Sequence, residues 1–176
     1  MDYLKNYIIP YMGLKDGKHT FDFIVDEKFF DEFEYSEIKN GQFDVIVELE
    51  KNATFLALVF IASGSLEMKC DRCLEKFDLK INSHDKLIIK FGNEVYDSRY
   101  IGEEVQIVSH NQSEINVSQY IYEFIHLQLP YKRMHPNDEN GNPTCNIEAL
   151  NKPGEQKTQK DKTIDPRWDK LKDLLK

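Results

Sequence analysis

From Gly41 to Phe91 apolar and polar side chains alternate with a period of two, the signature of strands that bury one face. Phe43, Val45, Val47 and Leu49 alternate with Gln42, Asp44, Ile46 and Glu48. Asn52 turns the chain into a second strand, Thr54 to Ala62, which is apolar on both faces and so belongs in the middle of a sheet. Ser63-Gly64-Ser65 has the composition of a turn. Beyond it, Leu66, Met68 and Cys70 alternate with Glu67, Lys69 and Asp71, and Phe77, Leu79 and Ile81 alternate with Lys76, Asp78 and Lys80. Leu87, Ile89 and Phe91 form a last run. Short consecutive strands with no helix between them predict an antiparallel meander, sandwich or barrel.

The flanks are less regular. Residues 1–18 have no clear period. A first strand is predicted from His19 to Val25, then a short helix from Glu27 to Phe33 with Asp26 as its N-cap. Val105 and Ile107 suggest one more short strand. A helix is predicted from Val117 to about Leu127, with Asn116 as N-cap, Gln119 as its capping-box partner and Pro130 beyond its end. Its packing face comprises Val117, Ile121, Phe124, Ile125 and Gln128. Residues 132–164 are rich in Asn, Pro, Gly and Lys, a composition that is either functional or disordered at this length, and 151–162 has the character of a flexible tether. Asp165 and Pro166 then start a short helix striped with Trp168, Leu171, Leu174 and Leu175, which is too short to stand alone in water. The expected fold is α+β and β-dominated: an antiparallel meander or barrel-like sheet, one packed helix and a short C-terminal helix. The expected organisation is a β-rich core over 1–130, a polar loop or tether over 131–164 and an amphipathic helix over 165–176.

The 176 residues suit one core with an appended tail. Proteins that bind nucleic acid mainly by phosphate neutralisation are usually basic, so at a net charge of -8, which solubility alone explains, any such role needs a local basic patch or a protein partner. The longest apolar run, Phe55 to Ala62, is far shorter than the roughly 20 residues of a membrane-spanning helix. The first residues lack the basic and apolar stretches of an export signal, so a soluble cytoplasmic protein is expected, with no membrane partner. Three cysteines, an odd number, fit reduced thiols better than a disulfide framework.

Cys70 and Cys73 would point to opposite faces of a continuous strand, so serving one site requires a turn at Asp71-Arg72. A hairpin tip of that kind presents two thiolates to zinc, and a structural zinc site takes four ligands. His135 and Cys145, in the loop after Pro130, would complete a Cys3His set and pin the loop to the hairpin. Two other readings stand beside this one. In the first, Cys70 is a core residue, Cys73 a half-exposed thiol and Cys145 free in a loop. In the second the pair is redox-active, which ordinarily calls for a helix N-terminus beside the thiols, whereas a strand pattern follows Cys73. No glycine-rich phosphate loop, His-Glu-x-x-His motif or nucleophile elbow is present, and no enzymatic activity is expected. Tyr131, Lys132, Arg133 and His135, with Lys69, Arg72 and Lys76 at the hairpin tip, combine cations and an aromatic ring as RNA contact requires. Glu67, Asp71, Glu75 and Asp78 interleave with them, as in an ordinary solvated face.

Three segments taken together resemble the bacterial YceD family, named for accumulation of large-subunit ribosomal RNA. They are Cys70-x-x-Cys73-Leu74 inside a strand pair, Leu127-Gln128-Leu129-Pro130 after the helix, and Asp165-Pro166-Arg167-Trp168-x-x-Leu171-x-x-Leu174 at the end. Their order and spacing agree over roughly residues 20 to 176. The resemblance implies a non-enzymatic accessory factor in ribosome biogenesis that binds large-subunit rRNA or a ribosome-assembly protein. Arg167 and Trp168 then join the contact residues, or Trp168 closes the sheet. Some members carry further cysteine pairs after the Leu-Pro segment, where this chain has only His135 and Cys145. The alternative is a zinc-stabilised protein-interaction module that touches no nucleic acid.

Overall fold

The computed structural model describes residues 3–92, 104–109, 111–146 and 148–149. The chain falls into two compact units, Met1–Cys145 and Asn146–Lys176, and the second lies almost wholly outside the described residues. The C-terminal helix expected over 165–176, with Arg167 and Trp168, and the tether expected over 151–162 therefore lie outside them too.

The first unit opens with a 3-10 turn, Tyr3–Tyr7, and runs β1 (Ile8–Ile9), β2 (Gly17–Val25), α1 (Glu27–Asp31), β3 (Gly41–Lys51), β4 (Phe55–Lys69), β5 (Lys76–Phe91), β6 (Glu104–Val108), β7 (Ile115–Asn116) and α2 (Ser118–Leu127). Five strands make one sheet in the order β2-β3-β4-β5-β6; it is antiparallel as far as β5, with β6 parallel to β5. β1 and β7 form a separate antiparallel ribbon. The expected α+β class and meander are present, but the sheet does not close: among the described residues β2 and β6 are its edges. The two helices, with the small β1–β7 ribbon and Tyr7 and Tyr11 beside it, cover its apolar face, so the core needs no barrel.

That face carries the side chains that the period of two selected. Phe43, Val45, Val47 and Leu49 on β3, Leu56, Leu58, Phe60 and Ala62 on β4, and Ile81, Leu87 and Ile89 on β5 are all buried. Phe29 and Phe30 of α1 and Ile121, Phe124 and Ile125 of α2 pack onto them, with Phe30 and Phe124 edge-on to Phe43 and Phe60 at 6.3 and 5.1 Å between centroids. Each such side chain contributes about 1.5–3 kcal/mol when fully withdrawn from water. Asp26 caps α1 as expected, its carboxylate accepting the Phe29 N–H at 3.1 Å. At α2 the N-cap is Val117 rather than the expected Asn116, whose side chain accepts the Ser118 N–H at 2.9 Å from outside the helix, and Gln119 bonds Glu123, so the expected capping box is not formed. Gln128 is exposed, and the packing face is its four apolar members alone.

Two expected breaks in the sheet are absent. Ser63-Gly64-Ser65 is not a turn: β4 runs through it, pairing Gly64 with Phe43 on one side and Ile81 on the other. A Cβ at Gly64 would lie 2.1 Å from the Gln42 carbonyl oxygen and 2.7 Å from the Phe43 Cα, so glycine is there to let two backbones approach. Likewise Asn82 to Lys86 join the two apolar runs of β5 into one 16-residue strand, because β4 supplies a backbone partner at every step.

The N-terminal segment, patternless in sequence, is anchored by polar bonds. The Tyr7 hydroxyl donates to the Ile24 carbonyl at 2.7 Å, the Tyr11 hydroxyl to that of Gln112 at 2.6 Å, and Lys51 to those of Tyr11 and Leu14 at 3.1 and 2.8 Å.

Because no rotamer of a methyl group can relieve a backbone clash, Gly64→Ala is expected to destabilise the fold by about 3 kcal/mol or more. Gly92→Ala, with nothing within 4 Å of its added Cβ, is expected to change the melting temperature little. Thermal unfolding of the two variants beside the parent checks this; equal melting temperatures would remove the close-approach explanation.

Candidate metal centre

The chain reverses between Lys69, the last residue of β4, and Lys76, the first of β5. The Cys70 N–H donates to the Glu75 carbonyl at 2.8 Å and the Leu74 N–H to the Cys70 carbonyl at 2.9 Å, closing a tight bend. Leu74 sits at φ 64°, in the left-handed region that a side chain ordinarily avoids. The turn that a common site demands at Asp71-Arg72 is therefore made, and both thiols are buried.

The segment after α2 is fastened beside this bend. The Asp71 N–H donates to the Arg133 carbonyl at 2.7 Å, and the Asp71 carboxylate accepts the Arg133 N–H at 2.8 Å. Residues 136–144 then fold back on themselves. The Asp138 carboxylate accepts the N–H groups of Asn140 and Asn142 at 2.9 and 2.7 Å, and Asn137 bridges to Pro143. The Thr144 hydroxyl donates to the Pro136 carbonyl at 2.6 Å, and Gly141 takes the positive φ that the reversal requires. This small closed loop returns Cys145 to the side of His135.

The ligand atoms of Cys70, Cys73, His135 and Cys145 all lie within 4.8 Å of one another. The Cys70 and Cys145 sulfurs are 3.7 Å apart, and the Cys73 sulfur is 3.5 Å from His135 Nδ1. Four ligands around a tetrahedral ion with metal–sulfur bonds of about 2.3 Å and metal–nitrogen bonds of about 2.0 Å would show sulfur–sulfur edges near 3.8 Å and sulfur–nitrogen edges near 3.5 Å. The three thiols are free and buried, and the half-buried imidazole leans on the Phe77 ring at 4.9 Å between centroids. Such a set of donors can hold a metal ion.

The electrostatics differ between the thiols. Burial raises the Cys70 thiol, but the N–H groups of Cys73, Arg72 and His135 and the His135 ring directed at its sulfur outweigh this and bring it to about 6. Cys145 is held above the ordinary thiol range, first by burial and then by the neighbouring Cys70 and Cys73 sulfurs. Like groups this close cannot all ionise without a compensating positive charge.

Of the first competing reading, Cys70 is fully buried as expected, but Cys73 is buried rather than half-exposed and the free Cys145 thiol is buried against the other donors. As to the second, no helix begins at Cys73: the bend leads into β5, so the thiols lack the helix dipole of a redox pair.

The expected contact residues surround the bend but are not equally available. Lys69, Arg72, Tyr131 and Lys132 are exposed, Tyr131 by 98%. Lys76 is paired with Glu67 at 2.6 Å, and Arg133 with Glu37 at 2.6 Å. A groove of about 460 Å³ bordered by Asp26, Glu27, Asn40 and Glu67 contains none of the four donors. Sequence reasoning passed over Asp138, whose turn closes the donor loop, and the strained backbone of Leu74, which is 75% exposed next to Cys73. Asp138-x-x-Gly141 was the available signal for the first.

No helix among the described residues is long and apolar enough to cross a membrane. Neither the curated proteins nor the solved structures compared with this chain gave a match. One family model does match, over residues 58–175, a stretch that holds most of β4, all of β5, the bend, α2 and the donor loop. Its description is large ribosomal RNA subunit accumulation protein YceD, and with two thirds of its length so matched, the chain belongs to the YceD family.

Proposed function

We propose that the protein is a non-enzymatic accessory factor for large-subunit ribosomal RNA, with a zinc ion at Cys70, Cys73, His135 and Cys145 and an RNA-contacting surface beside it. The observation that carries this reading is the convergence of four soft or borderline donors at tetrahedral spacing from segments about sixty residues apart in sequence. Thiolate and imidazole ligands select zinc among the common divalent ions, and a site with four protein ligands is structural because it leaves no position for substrate. The ion supplies the positive charge that lets neighbouring buried thiolates coexist. It also orders a segment with little core of its own, since structural zinc contributes on the order of 10 kcal/mol of apparent binding energy in small peptides.

The RNA-facing surface consists of Arg72 on the bend and Tyr131 and Lys132 on the fastened segment. An exposed aromatic ring flanked by cations suits an unpaired base and its phosphates. Two or three phosphate contacts make a modest electrostatic contribution, as an acidic protein requires, and imply shallow salt dependence. Reduced thiols at the centre suit the cytoplasm, where ribosomes are assembled. A second reading, a zinc-stabilised module that docks on a ribosome-assembly protein, draws on exposed Leu74 and Met134 close to the same centre.

Four outcomes are expected. Purified under reducing conditions, the protein carries one equivalent of zinc by elemental analysis, and Cys145→Ala loses it; a metal-free parent would end the zinc assignment. Acidification releases the metal, because protons compete for the thiolates and imidazole. Depletion in cells lowers large-subunit rRNA relative to small-subunit rRNA. A Tyr131→Ala, Lys132→Glu variant that still binds zinc recovers several-fold less rRNA on affinity capture; undiminished RNA with loss of one protein partner would favour the second reading, and unchanged subunit profiles on depletion would defeat both.

A further inference from the structure

The opposite face of the sheet is uncovered by any described element, since α1, α2 and the N-terminal aromatic residues all pack on the face of Phe23, Phe43 and Phe60. The strand register orders this outer face in rows. Asp22, Ile46, Ile61 and His84 stand side by side across β2, β3, β4 and β5, and Thr20, Glu48, Val59 and Lys86 form the next row. Three features recur along the rows. β4 is apolar at the centre, with Ala57, Val59 and Ile61 half-buried, and Ile46 joins them at 39% exposure. The β2–β3 side is mainly acidic, with Asp22, Asp44, Glu48 and Glu50 exposed and Lys18 opposite Glu50 as its one cation. The middle of β5 is basic, with Lys80, His84 and Lys86 exposed and Asp78 further along toward the bend.

We infer that this face is a self-association surface, whose occupant is the same face of a second copy related by a two-fold axis running along β4. Such an axis exchanges the two sides of the sheet. It lays β3 of one copy over β5 of the other, so that Glu48 meets the second copy's Lys86 and Lys86 its Glu48. Ile61 and Val59 pack on their own counterparts at the axis, as an isologous interface requires. A two-fold axis across the strands would instead lay acid over acid and base over base. The charge layout therefore selects one dimer geometry, with the two sheets aligned to within about 30° and about 10 Å apart. Within one copy these charges are not spent. Glu48 and Lys86 flank β4 about 10 Å apart, and neither has an ion-pair partner among the described residues.

The size of the face sets the strength. Four strands spaced about 4.8 Å apart, exposed over roughly 30 Å, present about 600 Å² per copy. A dimer would bury about 1,200 Å², the lower end for specific interfaces, so a dissociation constant on the order of micromolar is expected.

Sedimentation of the whole chain over a concentration series, at low and high salt, tests the inference. The parent is expected to pass from monomer to dimer, with weaker association in high salt. Glu48→Lys alone and Lys86→Glu alone each place like charges in contact twice per dimer and should weaken association at least about tenfold. The double variant, Glu48→Lys with Lys86→Glu, restores opposite charges across the axis and should recover most of it. All three changes lie on exposed side chains, and circular dichroism verifies that each variant is folded. A parent that stays monomeric throughout overturns the inference. So does a dimer indifferent to both single changes, as pairing through the β2 edge would give, and so does a double variant no better than the single ones.

Discussion

The pairing of β4 with β5 is the constraint from which the rest of the molecule follows. Fifteen consecutive residue pairs join them, from Phe55 and Lys90 at one end to Lys69 and Lys76 at the other. The base of this ladder is locked by Leu56, Leu58, Leu87 and Ile89, all buried without residual exposure. A slip of one residue would carry every one of these side chains to the polar face, so the core fixes the register of the whole ladder, and Leu66 and Met68 extend that core toward the far end. The bend at that end inherits its position from the core. Cys70 continues the inward face of Leu66 and Met68, and the bend brings Cys73 back to the same side.

The second half of the donor set is held differently. Residues 133–145 bring few large apolar side chains, so hydrophobic burial cannot place them. Their position comes from the two bonds between Asp71 and Arg133, the internal turn at Asp138 and the meeting of the donors. Removing one donor should therefore loosen the loop far more than the sheet. Strain at Leu74 fits the same division. A non-glycine residue in the left-handed region costs about 1–2 kcal/mol, and a bend anchored by the ladder on one side and the donor cluster on the other can bear that cost.

What the sequence disclosed divides along the same physical line. The inward strand residues, the bend at Asp71-Arg72 and the packing face of α2 were legible because each follows from a period that burial enforces. The donor set was legible from residue type, since one turn at Cys70–Cys73 leaves few other thiols or imidazoles to complete four. Gly64 misled, because a glycine in a strand marks either a turn or a close backbone approach, and only the neighbouring strand decides. The β1–β7 ribbon was invisible because hydroxyl-to-carbonyl bonds such as Tyr11 to Gln112, 101 residues apart, leave no local pattern. Arg133 looked available for the same reason: its partner Glu37 is 96 residues away.

Net charge also acquires a spatial meaning that a total of -8 conceals. Across the middle of the outer sheet face, acid stands on β2 and β3 (Asp22, Asp44, Glu48) and base on β5 (Lys80, His84, Lys86), although each strand alone looks like an ordinary solvated one. At the bend, by contrast, cations and acids interleave, and pairs such as Lys76 with Glu67 withdraw part of the positive charge. Among the described residues the surface left there is small: Lys69, Arg72, Lys132 and the fully exposed ring of Tyr131. On the proposed function, so compact a basic patch among the described residues would suit local recognition, a base or two met by a rigid edge, rather than an extended backbone track. Rigidity is what a metal-pinned loop on a core-registered hairpin would provide, because ordering the loop before contact removes an entropy cost that a free segment would meet on binding.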